Sequence, residues 1–178
     1  MIILCGASAS GKTEVAKYLQ KKFNIKKAVT NTTRNMRINE VDGVDYYFLT
    51  KEEFFKLRDN DLLVEYTEYN GNYYGCSKKE VRDDKVVILE PSGVNSFLKL
   101  NDPHIVIFYL ETSKEIRKQR MISRGDDINS VNKRLELDDH HFDKNNFLFP
   151  YILINTDNIS IEDISHKIME EYNKVLNK

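Results

Sequence analysis

Residues 6–13, Gly6-Ala7-Ser8-Ala9-Ser10-Gly11-Lys12-Thr13, follow the order G-x-x-x-x-G-K-[ST]. Residue types at that spacing handle phosphate. The glycines let backbone N–H groups turn inward around phosphate oxygens, and a helix that starts at the lysine presents its positive end to them. Lys12 then reaches the β and γ phosphates of a nucleoside triphosphate, and Thr13 offers its hydroxyl to Mg²⁺. The alternative is a glycine-rich turn that only joins a strand to a helix. The strand pattern before the loop and the helix pattern after it place it where the phosphate mechanism needs it.

A second group of residues could hold another phosphate. Arg34 and Arg37 lie three apart in Thr30–Arg37, and Asp45-Tyr46 follows. Guanidinium forks suit phosphate dianions, and a tyrosine hydroxyl adds a neutral donor. Glu65 precedes Gly71-Asn72-Tyr73-Tyr74-Gly75. A carboxylate facing a purine accepts from adjacent N–H groups, which guanine offers at N1 and N2 and adenine does not. Taken separately these are a solvated charged face and a tight turn. Together, after a phosphate loop, they form an acceptor site for a nucleotide with one phosphate. Asp138-Asp139-His140-His141 also invites a ligand reading. Adjacent residues on a helix point in different directions and the spacing is not that of a zinc site, so this run is expected to be a solvated helix face. Cys5, just before the loop, is expected to pack in the core.

These residues need a frame to position them. Ile2–Cys5, Val86–Leu89, Ile105–Leu110 and Tyr151–Ile154 read as buried strands. A helix is expected from about Lys12, with Val15, Leu19 and Phe23 on one face. Another is expected after Ser160, a candidate N-cap, with Ile161, Ile164, Ile168, Tyr172 and Val175 in register. Buried strands separated by helices predict an α/β fold, a parallel sheet with helices on both faces. Residues 30–77 break the rhythm. Tyr46–Leu49, a short helix near Lys51–Asn60, Leu62–Tyr69 and a turn at Asn70-Gly71 predict a small inserted subdomain. Arg124–Asn132, polar and glycine-containing, reads as a mobile loop between two helical patterns.

The chain has 178 residues, 40% hydrophobic and 31% charged, which suits one folded domain. A net charge of -1 without basic blocks argues against an extended nucleic-acid surface. Two cysteines make no disulfide framework, and no stretch has the length of a membrane span. A cytoplasmic protein is expected.

In the order and spacing of Gly6–Thr13, Thr32-Thr33-Arg34, Arg37, Glu40, Gly43, Asp45-Tyr46, Phe48, Glu65, Gly71–Gly75, Arg124-Gly125 and Asn132-Lys133-Arg134-Leu135, the sequence resembles the guanylate kinase family over nearly its whole length. The resemblance implies a P-loop nucleoside monophosphate kinase fold. It divides the chain into a core (1–29, 78–123 and 133–178), an acceptor-binding subdomain (30–77) and a lid (124–132). It also implies phosphoryl transfer from MgATP to GMP or dGMP. By position, Arg34, Arg37, Tyr46 and Tyr74 are similar to ligands of the acceptor phosphate. Glu65 is similar to the guanine reader, with Thr30 beside it, and Arg120, Arg124 and Arg134 to the arginines that close on the transferring group. Asn155 is similar to an adenine-side residue. The sequence departs from the family where Cys76 replaces a serine or threonine that reads the base. It departs again where Glu90 alone remains of two acids at a strand end, with Ile88 in the other place. Met36-Arg37-Ile38-Asn39-Glu40 stands for Pro-Arg-x-Gly-Glu. Two other readings stay open. One is a kinase of the same fold acting on another nucleoside monophosphate or a sugar phosphate, and the other is a non-catalytic binding module that uses the acceptor pocket.

Overall fold

The structure, a computed structural model, describes residues 1–69 and 71–177. In chain order the elements are β1 (Ile2–Cys5), α1 (Lys12–Phe23), β2 (Lys26–Lys27), β3 (Asn31–Thr32), β4 (Tyr47–Phe48), α2 (Lys51–Asp59), β5 (Leu63–Tyr69), β6 (Asn72–Ser77), β7 (Lys85–Ile88), α3 (Pro91–Leu98), β8 (Val106–Glu111), α4 (Lys114–Ser123), α5 (Ile128–His141), β9 (Ile152–Asn155) and α6 (Ile161–Leu176).

Five strands form one sheet in the order β2-β7-β1-β8-β9, every pair parallel. β1 is central and wholly buried, and its alternate residues feed two apolar layers, as the two-residue period of a strand requires. Ile2 and Leu4 pack with Val15 and Leu19 of α1 and with Ile164, Ile168 and Tyr172 of α6. Met1, Ile3 and Cys5 pack on the other face with Val94 and Phe97 of α3 and with Phe149. The stripe expected on the last helix is therefore its buried face, and the Ser160 hydroxyl caps it by accepting from Asp163 N–H at 3.0 Å.

Residues 31–77 build a second sheet, ordered β4-β3-β6-β5, with β6 antiparallel to both β3 and β5. α2 opens on a reciprocal cap between Thr50 and Glu53. Of the turn expected at Asn70-Gly71, Asn70 lies outside the described residues.

Three expected strands shift by a residue at one or both ends. Leu89, for example, keeps a bond to Leu4 O but no longer belongs to β7, because Glu90 and Pro91 open α3. The expected loop at 124–132 is corrected more substantially. Asp127 caps α5 by accepting from Ser130 N–H at 3.0 Å, so the helix is under way by Ile128 and only 124–127 connect α4 to α5.

Where the chain leaves the parallel sheet for the second one and returns, one carboxylate holds both crossings. Glu80 accepts from Val29 N–H at 3.0 Å and from the Tyr47 hydroxyl at 3.1 Å, and pairs with Lys85 Nζ at 2.9 Å. It thus ties the outgoing segment, the second sheet and β7 together. Burial opposes its charge, but Lys85 and the two donors outweigh that and hold its pKa below the usual range. A depressed carboxyl pKa contributes stability above the unfolded-state value near 4.3, and that contribution is lost as pH falls through the folded-state value. Glu80→Gln should cost about 3 kcal/mol at pH 7 by leaving Lys85 unpaired. The gap from wild type should close as the pH drops below about 4 in urea unfolding, because the wild-type carboxyl then protonates too. A gap independent of pH would show that the charge of Glu80 is not what ties these segments.

Candidate functional site

The phosphate loop leaves β1 at the centre of the sheet and enters α1. Gly6 has φ +150°, and a Cβ there would meet Leu110 O at 2.5 Å, so only glycine lets the loop lie against β8. Gly11 (φ +95°) precedes the first residue of α1 without a side-chain cap, which leaves the first N–H groups of the helix directed at the loop. Lys12 Nζ donates to Gly6 O at 2.6 Å, to Ala7 O at 2.7 Å and toward Ser10 Oγ at 3.4 Å. Burial lowers the pKa of this ammonium, while the charges of Asp138 and Glu90 oppose the shift. A cavity of about 270 Å³ opens here, lined by Ala9–Glu14 together with Arg120 and Arg124. The Thr13 side chain lies at its exposed edge.

Two helices hold the far side of the loop. Arg120 of α4 donates to Ala9 O at 3.1 Å and to Thr156 O at 3.2 Å. From α5, Asp138 accepts from Ser8 N–H at 2.9 Å and from the Ser8 hydroxyl at 3.2 Å, and it pairs with Arg117 NH1 at 2.9 Å. Asp138 and Arg117 are both buried, so the expectation that residues 138–141 form a solvated face is corrected at Asp138. The sequence did hold a signal. Val131, Leu135 and Asp138 share the inward stripe of α5, and an acid on such a stripe needs a partner.

Arg124 and Arg134 converge on Asp126, at 2.5 Å and 3.1 Å from its Oδ2, which joins the 124–127 connection to α5. A groove of about 550 Å³ runs beside them, lined by Gln119, Arg120, Arg124, Asn158 and Ile159 among others. Asn155 does not line it. Its side-chain oxygen accepts from Asp157 N–H at 2.8 Å, and Asn158 and Ile159, which the sequence reading passed over, take the place at the groove.

The second sheet gathers Arg34, Tyr46 and Tyr74. The Arg34 guanidinium lies 5.6 Å from the Tyr46 ring centre, and the Tyr46 and Tyr74 rings are 6.3 Å apart. Glu40 grips Arg34 through both oxygens, at 2.8 and 3.0 Å, and accepts from Arg37 N–H at 2.7 Å; the Arg37 side chain is exposed. Thr30 O accepts from Tyr47 N–H at 2.9 Å.

Glu65 accepts from Cys76 N–H at 3.1 Å, and its burial pushes its pKa up. Cys76 itself is wholly buried. Its thiol is turned toward Ser77 O at 3.8 Å, and burial pushes the thiol pKa up to about 12. Its backbone therefore meets Glu65 while its sulfur belongs to the second apolar layer. Ser77 is committed to Asn31, accepting from its amide at 2.7 Å. Glu90 stands exposed at the end of β7, and Ile88 packs against the first apolar layer.

A glycine-tight loop between a central parallel strand and a helix, closed over by arginines, defines a phosphate-loop nucleotide-binding protein. Comparison narrows the class. A family model described as "Guanylate kinase" matches residues 1–174, and the chain belongs to the guanylate kinase family. It is 34% identical over 181 residues to a guanylate kinase of Anaplasma phagocytophilum, covering 94% of this chain and 83% of that one. It is 42% identical over 133 residues to guanylate kinase from Clostridium perfringens strain SM101, covering 70% of this chain and only 61% of that protein. The crystal structure of guanylate kinase from Anaplasma phagocytophilum superposes with a TM-score of 0.64 at 26% identity, over 98% of this chain and 84% of that one.

The steric role of Gly6 separates from that of an open glycine. A Cβ at Gly125 (φ +90°) would meet nothing within 4 Å. Gly6→Ala should cost about 3 kcal/mol or more and Gly125→Ala about 1 kcal/mol. In thermal unfolding that is a drop of about 10 °C against about 3 °C. Equal drops would contradict the close approach to Leu110.

Proposed function

We propose that this chain is an ATP-dependent guanylate kinase of the cytoplasm, serving purine nucleotide metabolism by converting ATP and GMP or dGMP to ADP and GDP or dGDP. What carries the proposal is the pairing of two phosphate-handling groups on separate sheets. Lys12 at the end of the phosphate loop and Arg120 of α4 both bond to the loop's carbonyls, while Arg34 clusters with Tyr46 and Tyr74 at the second sheet, which also carries the buried carboxylate of Glu65.

Phosphoryl transfer needs positioning and charge neutralisation more than a covalent catalyst. A phosphate oxygen of GMP attacks the γ-phosphorus of ATP, the bond to the bridging oxygen breaks, and ADP leaves with that oxygen. Lys12, Arg120, Arg124 and Arg134 neutralise the transferring group. Arg34 and Arg37, with Tyr46 and Tyr74, hold the acceptor phosphate in line, and Glu65 accepts from guanine N1 and N2. Asn158 and Ile159 join Asn155 as candidates for the adenine side. An exposed hydroxyl at the start of a helix, as at Thr13, fits Mg²⁺, a cation that keeps most of its waters and takes few protein ligands. When bound, Mg²⁺ would add neutralisation of phosphate charge, and Thr13 would hold it.

Two observations favour a second reading, transfer to another monophosphate or a sugar phosphate. The Cys76 thiol is packed in the second apolar layer with only the residue's backbone bonded to Glu65, and Ile88 packs against the first layer. Among the described residues no helix is long and apolar enough to cross a membrane.

A panel of nucleoside monophosphates and sugar phosphates with MgATP decides between the two readings. GMP or dGMP should be the preferred acceptor, and preference for any other would overturn the assignment. Lys12→Ala should lower kcat on the order of a hundredfold or more with the fold retained. Glu65→Gln should raise the KM for GMP on the order of tenfold and leave that for ATP unchanged. An unaltered KM for GMP would remove Glu65 from base recognition.

A further inference from the structure

The pair formed by Asp138 and Arg117 is left without a role by the reaction described above. It is an unusual element for stability alone. A buried ion pair gains little over well-packed apolar residues, and this one leaves a buried donor, Arg117 Nε, with no partner among the described residues. Both partners are at least nine-tenths buried. The carboxylate is aimed at one place, the outer turn of the phosphate loop, where it takes both the N–H and the hydroxyl of Ser8.

We propose that Asp138 is a positioning residue for the phosphoryl donor: it fixes the phosphate loop through Ser8, Arg117 holds its carboxylate in place, and the loop is thereby coupled to helix α5. The proposal rests on the reading of residues 6–13 as the ATP-phosphate site. Three features of the structure support it. First, among the described residues Ser8 has no other side-chain bond, so Asp138 makes the fastening at Ser8, between those that Lys12 makes at Gly6 and Ala7 and Arg120 at Ala9. Second, the same helix carries Arg134, and the neighbouring helix that bears Arg117 also bears Arg120, which holds the next carbonyl of the loop, Ala9 O. Ala9 also packs against Met121, Val131 and Leu135 of these two helices. The loop and the two arginine-bearing helices are thus fastened at adjacent residues. Third, the charge of Asp138 is among those that oppose the loss of the proton from buried Lys12.

Among the described residues the bonds and ion pairs of this network stay at the phosphate loop and helices α4 and α5, apart from Arg34, Tyr46, Tyr74 and Glu65, so the coupling acts on the donor. Asp138→Ala should raise the KM for MgATP on the order of tenfold, with the KM for GMP within about twofold of wild type. That variant also leaves buried Arg117 with only a 3.8 Å contact from NH2 to Asp139, so a second variant, Asp138→Ala with Arg117→Leu, removes both members of the pair together. The double variant should recover the thermal midpoint lost by the single one and yet keep the raised KM for MgATP, because Ser8 still lacks its acceptor. If the pair serves only its own burial, the double variant will recover midpoint and KM alike, and the proposal fails. It also fails if Asp138→Ala changes both KM values equally or neither of them. Wild-type turnover of GMP is measured beside the variants. Its absence would count against the guanylate kinase assignment, whereas an active wild type with unselective variants counts against Asp138.

Discussion

A turn that binds phosphate through its backbone must leave most of its N–H groups to the ligand, and that requirement governs what surrounds residues 6–13, where Ser8 N–H goes to Asp138 and Ser10 N–H to Ala7 O. A buried turn can pair its own donors and acceptors and so hold its shape. This one must be held by its carbonyls, its side chains and its contacts. Lys12 bridges the carbonyls of Gly6 and Ala7, Arg120 holds that of Ala9, and Asp138 takes Ser8. Gly6 lies against the backbone of β8 with no room for a side chain. The anchors come from three helices and a neighbouring strand, so the shape of eight consecutive residues depends on contacts as distant in sequence as residue 138.

The parallel sheet makes those contacts possible. Because its strands run the same way, their ends gather along one edge. β1 delivers Gly6 there, β7 delivers Glu90 and β8 leads to Glu111 and α4. This is where the loops of such a sheet collect ligands. The residues proposed to hold the acceptor lie with a different sheet, joined to the first by two crossings that Glu80 pins to each other and to Lys85. In the proposed reaction the two groups must approach and exclude water, which otherwise competes as the acceptor.

Periodicity carried much of the fold. The apolar runs at residues 2–5, 86–89, 105–110 and 151–154 all mark strands, within a residue or two of their observed ends, and the stripe of α6 is its buried face. Elements without an apolar signature escaped. β2 is Lys26-Lys27, two exposed residues that pair through backbone alone. The helical start of α5 depends on the cap at Asp127, and the polar residues around it read as loop. The strand expected within Tyr46–Leu49 is present but shorter, at Tyr47–Phe48, where it pairs with β3. Local pattern records which residues avoid water, whereas β2 is set by a backbone partner far along the chain and the start of α5 by a polar cap.

The family, the phosphate loop and the identity of nearly every residue proposed for the site were in the sequence itself, because motif chemistry depends on residue type and short spacing. Tertiary structure decided what those residues face. Cys76 stands at the expected position in β6, yet its thiol is packed in the core and only its backbone reaches Glu65. Asn155 is bonded to Asp157, and Asn158 and Ile159 line the groove. Asp138, which belongs to an apparently solvated run, is buried against Arg117 and Ser8. In each case the direction of a side chain follows from packing between elements that are not neighbours in the chain. A spacing rule along one segment contains no term for that packing.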